Sequence, residues 1–198
     1  MFPAILPERK SGEEMLCGDS GAPIATLKEF WQWAYSDLIG NAERGAVAEF
    51  IVATALGIHK DVRVSWDKYD LRSKEGIKIE VKASGLIQTW EQKNLSKPVF
   101  GIAPTFGWDS VSNTYDTEKN RQSDIYVFCV HKHTEQDTIN PLDTRQWDFY
   151  VLPTATLDKV FGDQKTITLP SLKRVGAICC SYESLYQTIL QSNSTAEW

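Results

Sequence analysis

Apolar positions recur at helical spacing twice near the start of the chain. "TLKEFWQWAYSDLIG" sets Leu27, Phe30, Trp31, Ala34 and Leu38 on one side of a helix, with Thr26 placed to cap it. "NAERGAVAEFIVATALG" predicts a second helix with Val47, Phe50, Ile51, Thr54 and Ala55 on its apolar side and Gly57 as its stop. The pattern then switches to extended pieces: "VRVSW" (62–66), a stretch around Tyr69 to Leu71, and "GIKIEVKAS" (76–84). "SKEG" supplies turn chemistry between the last two, so they read as a hairpin. "LIQTWEQK" predicts a further helical segment. Residues 96–120 hold two Pro, two Gly and two Asn, which fits a long functional loop or a decorated hairpin. "SDIYVFCVHKH" and "WDFYVLP" are apolar runs of the kind buried on both faces. "TATLDKVFG" predicts a short helix closed by Gly162, "TITL" a strand, and "SYESLYQTILQ" a terminal helix capped by Ser181. Residues 1–25 read as an irregular arm, and residues 26–198 as a single α/β domain. Its mixed sheet has one face of the meander covered by the early helices.

The bulk numbers narrow the partners. A chain of 198 residues, 42% hydrophobic and 24% charged, can bury a core without staples. No apolar run approaches the roughly 18–20 residues that span a bilayer. The N-terminal stretch lacks the basic-then-apolar order of a signal peptide, so cytoplasmic residence is the expectation. Cys17, Cys129, Cys179 and Cys180 show no C-x-x-C spacing and read as reduced, mostly buried thiols. His131 and His133 share a strand face, yet two imidazoles alone do not close a metal site. The net charge of −5 disfavours a nucleic-acid partner at first sight. Its distribution is uneven: Lys60 to Lys97 carries +3 and the remainder −8, so an acidic protein contains a basic segment.

The candidate chemistry lies in "IKIEVKASG". Side chains two apart on a strand share a face, so Glu80 and Lys82 project together while Ile77, Ile79 and Val81 face the other way. If the hairpin closes at "SKEG", Asp70 on the neighbouring strand can stand beside Glu80. Two carboxylates converging from adjacent strands suit a hard divalent ion such as Mg²⁺, and a nearby lysine can orient a water aimed at a phosphodiester. Glu-x-Lys alone carries little information, since about one such triplet is expected by chance in a chain of this length. A cross-strand ion-pair ladder on a solvated face would present the same residues. The context adds the weight: strand alternation, an upstream Asp on a hairpin partner, and an acid on the preceding helix.

That arrangement, "KYD" followed by "EVK", resembles the PD-(D/E)xK nuclease superfamily of restriction-endonuclease-like fold, over roughly residues 43–90. Tyr69 stands where the family name has proline. The resemblance implies a restriction-endonuclease-like mixed β-sheet flanked by helices and hydrolysis of phosphodiester bonds, most readily in DNA, leaving a 5′-phosphate and a 3′-hydroxyl. It implies Mg²⁺ or Mn²⁺ held by Asp70, Glu80 and the Val81 carbonyl, with Glu49 on the preceding helix binding directly or through water. Lys82 would position the attacking water. Gln88, shortly after the strand, matches a Gln that some members carry there, and Trp90 lies beside it. Restriction-type enzymes often pair as homodimers, but no pattern in this chain fixes an interface. The rival reading is the same fold with silent chemistry, a nucleic-acid- or protein-binding module; the intact Asp70, Glu80 and Lys82 favour the enzyme.

Overall fold

The structure, a computed structural model, describes residues 5, 7–63, 68–109 and 114–194. Its centre is a five-stranded mixed sheet. In chain order its members are β3 (Leu71–Arg72), β4 (Lys78–Gly85), β8 (Ile125–His131), β9 (Trp147–Pro153) and β11 (Ile178–Cys180). They lie in the order β11-β9-β8-β4-β3. Only β4 and β8 run parallel, with Ile79 opposite Ile125 and Gly85 opposite His131. The other pairs are antiparallel.

Alternation along these strands sorts two cores. Ile79, Val81, Val127, Cys129, Phe149 and Val151 face α2 (Asn41–Ala55) and α5 (Tyr182–Ser194), meeting Ala48, Ile51, Val52, Leu185 and Ile189. Tyr126, Phe128, Val130, Tyr150 and Leu152 face the opposite layer. That layer comprises β5 (Val99–Gly101), α3 (Thr154–Phe161), β10 (Thr166–Thr168) and α4 (Leu169–Arg174), and it contributes Phe100, Leu157, Ile167 and Leu172. Every residue of β8 is buried, which is why that stretch reads as an unbroken apolar run. Burial of each Val, Ile or Phe there contributes about 1.5–3 kcal/mol. The ion pairs on the sheet's rims contribute about 0–1 kcal/mol each, so packing dominates the sheet's stability.

The predicted helices form, but not every face is where periodicity put it. α1 (Leu27–Tyr35) starts at Thr26 in a capping box, with Thr26 Oγ1 accepting from Glu29 N at 3.2 Å and Glu29 accepting from Thr26 N at 2.6 Å. It buries no residue fully. It lies on an N-terminal hairpin of β1 (Met15–Cys17) and β2 (Pro23–Thr26), so the later part of the arm is paired, and α2 rather than α1 covers the sheet. On α2, Phe50 is exposed, against the expectation, and Arg44 is buried. The stripe that meets the sheet runs Arg44, Ala48, Ile51, Val52. Gly57, at φ 68°, follows the helix end.

Other expectations change as well. No helix forms over 86–93. There Gln92 Oε1 accepts from Gln88 N at 2.7 Å and Gln92 Nε2 donates to the Leu86 carbonyl at 3.2 Å, so side chains take the backbone groups a helix would pair. Of "VRVSW", Val62 and Arg63 are not in a strand and 64–66 lie outside the described residues. Residues 96–120 resolve as β5 followed by a two-stranded ribbon, β6 (Thr105–Asp109) and β7 (Thr114–Asn120). α4 and β11 were not anticipated. Of the four thiols only Cys129 is fully buried; Cys17 and Cys179 are exposed, and all four are free. Among the described residues no helix is long and apolar enough to cross a membrane.

One close approach is testable. A Cβ added at Gly85 would lie 2.8 Å from Arg44 Cζ, inside the guanidinium that packs on the strand end. Gly85→Ala is expected to destabilise the protein by about 1–3 kcal/mol, read as a lowered midpoint in urea unfolding. An unchanged midpoint would mean that Arg44 does not pack there.

Candidate active site

The hairpin expected from "SKEG" forms, with Ser73 N donating to the Ile77 carbonyl at 2.9 Å and Gly76 at φ 89°. Leu71 pairs with Ile79 and Arg72 with Lys78. Extending that register brings Asp70 opposite Glu80. β3 begins only at Leu71, and just before it the Asp70 carboxylate takes the place of a backbone partner: Oδ2 accepts from Val81 N at 2.7 Å, while Asp70 N donates to the Ile79 carbonyl at 3.1 Å. The acid is thus fixed at the open edge of the sheet beside β4.

Ile79 and Val81 are buried, and Glu80 and Lys82 are half-buried on the opposite face. Lys82 Nζ donates to Glu80 Oε1 at 2.5 Å. Burial, followed by the Glu80 charge, pushes the Asp70 carboxyl up to about 7; the Val81 N–H pulls the other way, and Glu49 adds to the rise. Burial and the same Glu80 charge also hold the Tyr126 phenol well above its ordinary value. Tyr126 stands opposite Glu80 on β8 and remains protonated at ordinary pH.

Glu49 comes from α2 and is nearly buried, its side chain 12% exposed. Arg63 engages it with a two-point grip, Nη2 to Oε1 at 2.8 Å and Nε to Oε2. Glu49, Arg63, Tyr69 and Asp70 line one cavity of about 290 Å³, with Phe50 and His59 stacked edge-to-face on its wall, ring centroids 6.1 Å apart. Asp70 is thus within electrostatic reach of both Glu80 and Glu49. Each acid has a local donor: Val81 N–H, Lys82 and Arg63 respectively.

Gln88 lies elsewhere. It is buried under the C-terminal end of β4, where Oε1 accepts from Arg44 Nη2 at 2.8 Å and Nε2 donates to the Gly85 carbonyl at 2.9 Å and to Ser96 Oγ at 3.1 Å. Trp90 is exposed. Arg44 also donates to the Ile39 carbonyl, and burial lowers its pKa. His131 is buried against Trp147, its Nε2 3.2 Å from Gln146 Oε1, and burial pushes it down to about 4. His133 bonds Thr138, so the two imidazoles serve different neighbours. Arg121 is structural: it pairs with Asp158 at 2.5 Å and donates to the Ile102 and Gly162 carbonyls, each at 2.7 Å.

Two of these residues were missed from sequence. Arg44 had a signal, because positions 44, 48, 51 and 52 share one helical stripe. Arg63 had none, since its partner is 14 residues away and no local period links them.

Among the described residues no group of three or more His, Cys, Asp or Glu side chains is assembled to hold a metal ion. The carboxylate donors are Asp70, just before β3, and Glu80 on β4. That set fits Mg²⁺, which commonly uses one or two carboxylates and retains waters. Burial first, and the Glu80 charge second, disfavour the ionised form of Asp70, a cost that a divalent cation would offset.

Comparison with known proteins bears on the same segment. No curated protein and no solved structure is significantly similar to the chain. The sequence profile described as bacteriophage T4 endonuclease IV matches residues 26–158, which spans α1, the helix bearing Glu49, the Asp70–Lys82 hairpin, the ribbon and strands β8 and β9. With two thirds of its residues covered by that match, the chain belongs to the bacteriophage T4 endonuclease IV family, a family of nucleases.

Proposed function

We propose that the protein is a Mg²⁺- or Mn²⁺-dependent endonuclease that hydrolyses phosphodiester bonds in DNA, with a site of the PD-(D/E)xK kind in a restriction-endonuclease-like fold. The observation that carries this reading is Asp70, half-buried at an open sheet edge beside Glu80, where it accepts from Val81 N and is pushed up to about 7. Asp70, Glu80 and the Val81 carbonyl would hold the ion, with Glu49 bearing on it directly or through water. When bound, the ion would stabilise charge on the phosphate and lower the pKa of a coordinated water. Lys82 keeps its ammonium beside Glu80, where it can orient a water and meet negative charge developing on the phosphate. Val81 N–H fixes the Asp70 carboxylate in one rotamer, so the donors are set before substrate arrives. Gln88 acts at a distance in this reading: its hydrogen bonds to Gly85 and Arg44 hold the end of the strand that carries Glu80 and Lys82.

The test pairs calorimetry with cleavage. Wild-type protein is expected to bind Mn²⁺ and to nick supercoiled plasmid only when the metal is present. Glu80→Gln should lose at least about tenfold in metal affinity and all detectable nicking. Metal binding and nicking that survive in Glu80→Gln, or wild-type nicking in excess EDTA, would overturn the assignment. A wild type that binds DNA without cutting it would point instead to a silent binding module of the same fold.

A further inference from the structure

The β6–β7 ribbon pairs with no other strand among the described residues. A lone two-stranded hairpin is marginally stable in water, so its surroundings and side-chain pairs must hold it. One tie is to the candidate site: Lys68, two residues before Asp70, reaches Asp116 on β7 at 3.1 Å. Asp116 packs against Gly107, where an added Cβ would strike its carboxylate and would lie 2.9 Å from Gln122 Cδ. The side of the ribbon that bears Asp116 thereby meets the segment that carries Asp70, while Glu118, in the irregular stretch of β7 between Tyr115 and Lys119, is exposed.

The opposite side has a different chemistry. Phe106 stands opposite Lys119, whose Nζ lies 5.2 Å from the ring centroid. Trp108 stands opposite Tyr115, with ring centroids 4.7 Å apart. Phe106 is 49% exposed and Tyr115 68% exposed. These two cross-strand pairs bring together three aromatic rings and an ammonium with no carboxylate, on a protein whose net charge is −5.

From this sorting we infer that the outward face of the β6–β7 ribbon is a substrate-holding arm, on which a nucleic-acid strand lies with its bases or sugars on Phe106 and Tyr115 and a phosphate at Lys119. The inference rests on the nuclease reading and adds to it the surface that grips the polynucleotide away from the reacting bond. Aromatic rings accept any base face, and a lysine beside a ring offers phosphate and base contacts within one short span. The Lys68–Asp116 tie holds the ribbon beside the segment that carries Asp70. A protein partner would also accept the rings, but the ammonium of Lys119 set over Phe106 matches a polyanion better.

Binding of a short fluorescein-labelled DNA oligonucleotide, followed by anisotropy in EDTA, tests this. Phe106→Ala/Tyr115→Ala is expected to weaken affinity about 30-fold or more, from the loss of stacking on two rings. Lys119→Glu, at an exposed position, is expected to reduce the slope of log affinity against log salt by about one phosphate contact. If the double variant fails to fold by circular dichroism, the Lys119→Glu slope decides alone. Less than a fivefold loss in a folded double variant, or an unaltered slope in Lys119→Glu, overturns the arm even if wild-type protein nicks plasmid. A wild type that neither binds the oligonucleotide nor nicks plasmid removes the nuclease reading and the arm with it.

Discussion

Asp70→Asn is expected to make the metal-free protein more stable at pH 8, to leave its stability unchanged near pH 3.5, and to abolish cleavage. The sign follows from the raised carboxyl. Folded Asp70 titrates at about 7, against an ordinary 3.8. Between those values the folded state keeps a proton that the unfolded chain has lost, so stability falls as pH rises through the window and levels off above about 7. Asparagine carries no such proton, yet its carbonyl oxygen can still accept from Val81 N–H. The carboxyl retains some solvent access, so the gain above pH 7 should be about 1–3 kcal/mol rather than the full linkage value. That corresponds to a thermal midpoint higher by about 3–10 °C for a chain of this size. Melting curves of both proteins from pH 3.5 to 8.5 in EDTA measure the effect. Parallel profiles would mean that Asp70 is neither buried nor crowded by Glu80, and the proposed metal site would lose its main support. A gain in stability with a loss of cleavage is the behaviour of a site that holds unfavourable charge for a purpose.

Lys82→Ala should separate chemistry from binding. Removing an ammonium that orients water and meets developing phosphate charge is expected to slow plasmid nicking about 10²- to 10⁴-fold at saturating metal. The fold should survive, because a half-exposed ion pair contributes only about 0–1 kcal/mol. Mn²⁺ affinity should be unchanged or higher, since Glu80 loses the cation now bonded to it at 2.5 Å. Single-turnover nicking alongside calorimetry checks both halves. Nicking within a fewfold of wild type would remove Lys82 from the mechanism. A parallel collapse of metal affinity would make it a structural partner of Glu80 instead.

The legible and illegible parts of the site divide along one line. Glu80 and Lys82 could be placed on one face from strand alternation, because a period of two is a property of the backbone. The turn at "SKEG" was legible for the same local reason, and it carried Asp70 to the correct neighbourhood. That Asp70 would bond Val81 N–H just before a two-residue strand was not legible, since nothing nearby in sequence says where β3 starts. Phe50 was misplaced because an apolar residue one position out of phase looks like core until the sheet chooses a helix face. Residues 86–93 were read as helical because apolar spacing does not register glutamines that bond backbone groups.

By itself the chain determined most element types, the unbroken burial of "IYVFCVH", and the pairing of an acid with a base along β4. Each follows from spacing over a few residues. Only the tertiary structure decided that Arg63 grips Glu49, that Gln88 supports Arg44 and Gly85, and that α1 rests on its own N-terminal hairpin. These contacts join residues separated along the chain or depend on how whole elements pack. Their free energy comes from burial that exists only once the layers have met.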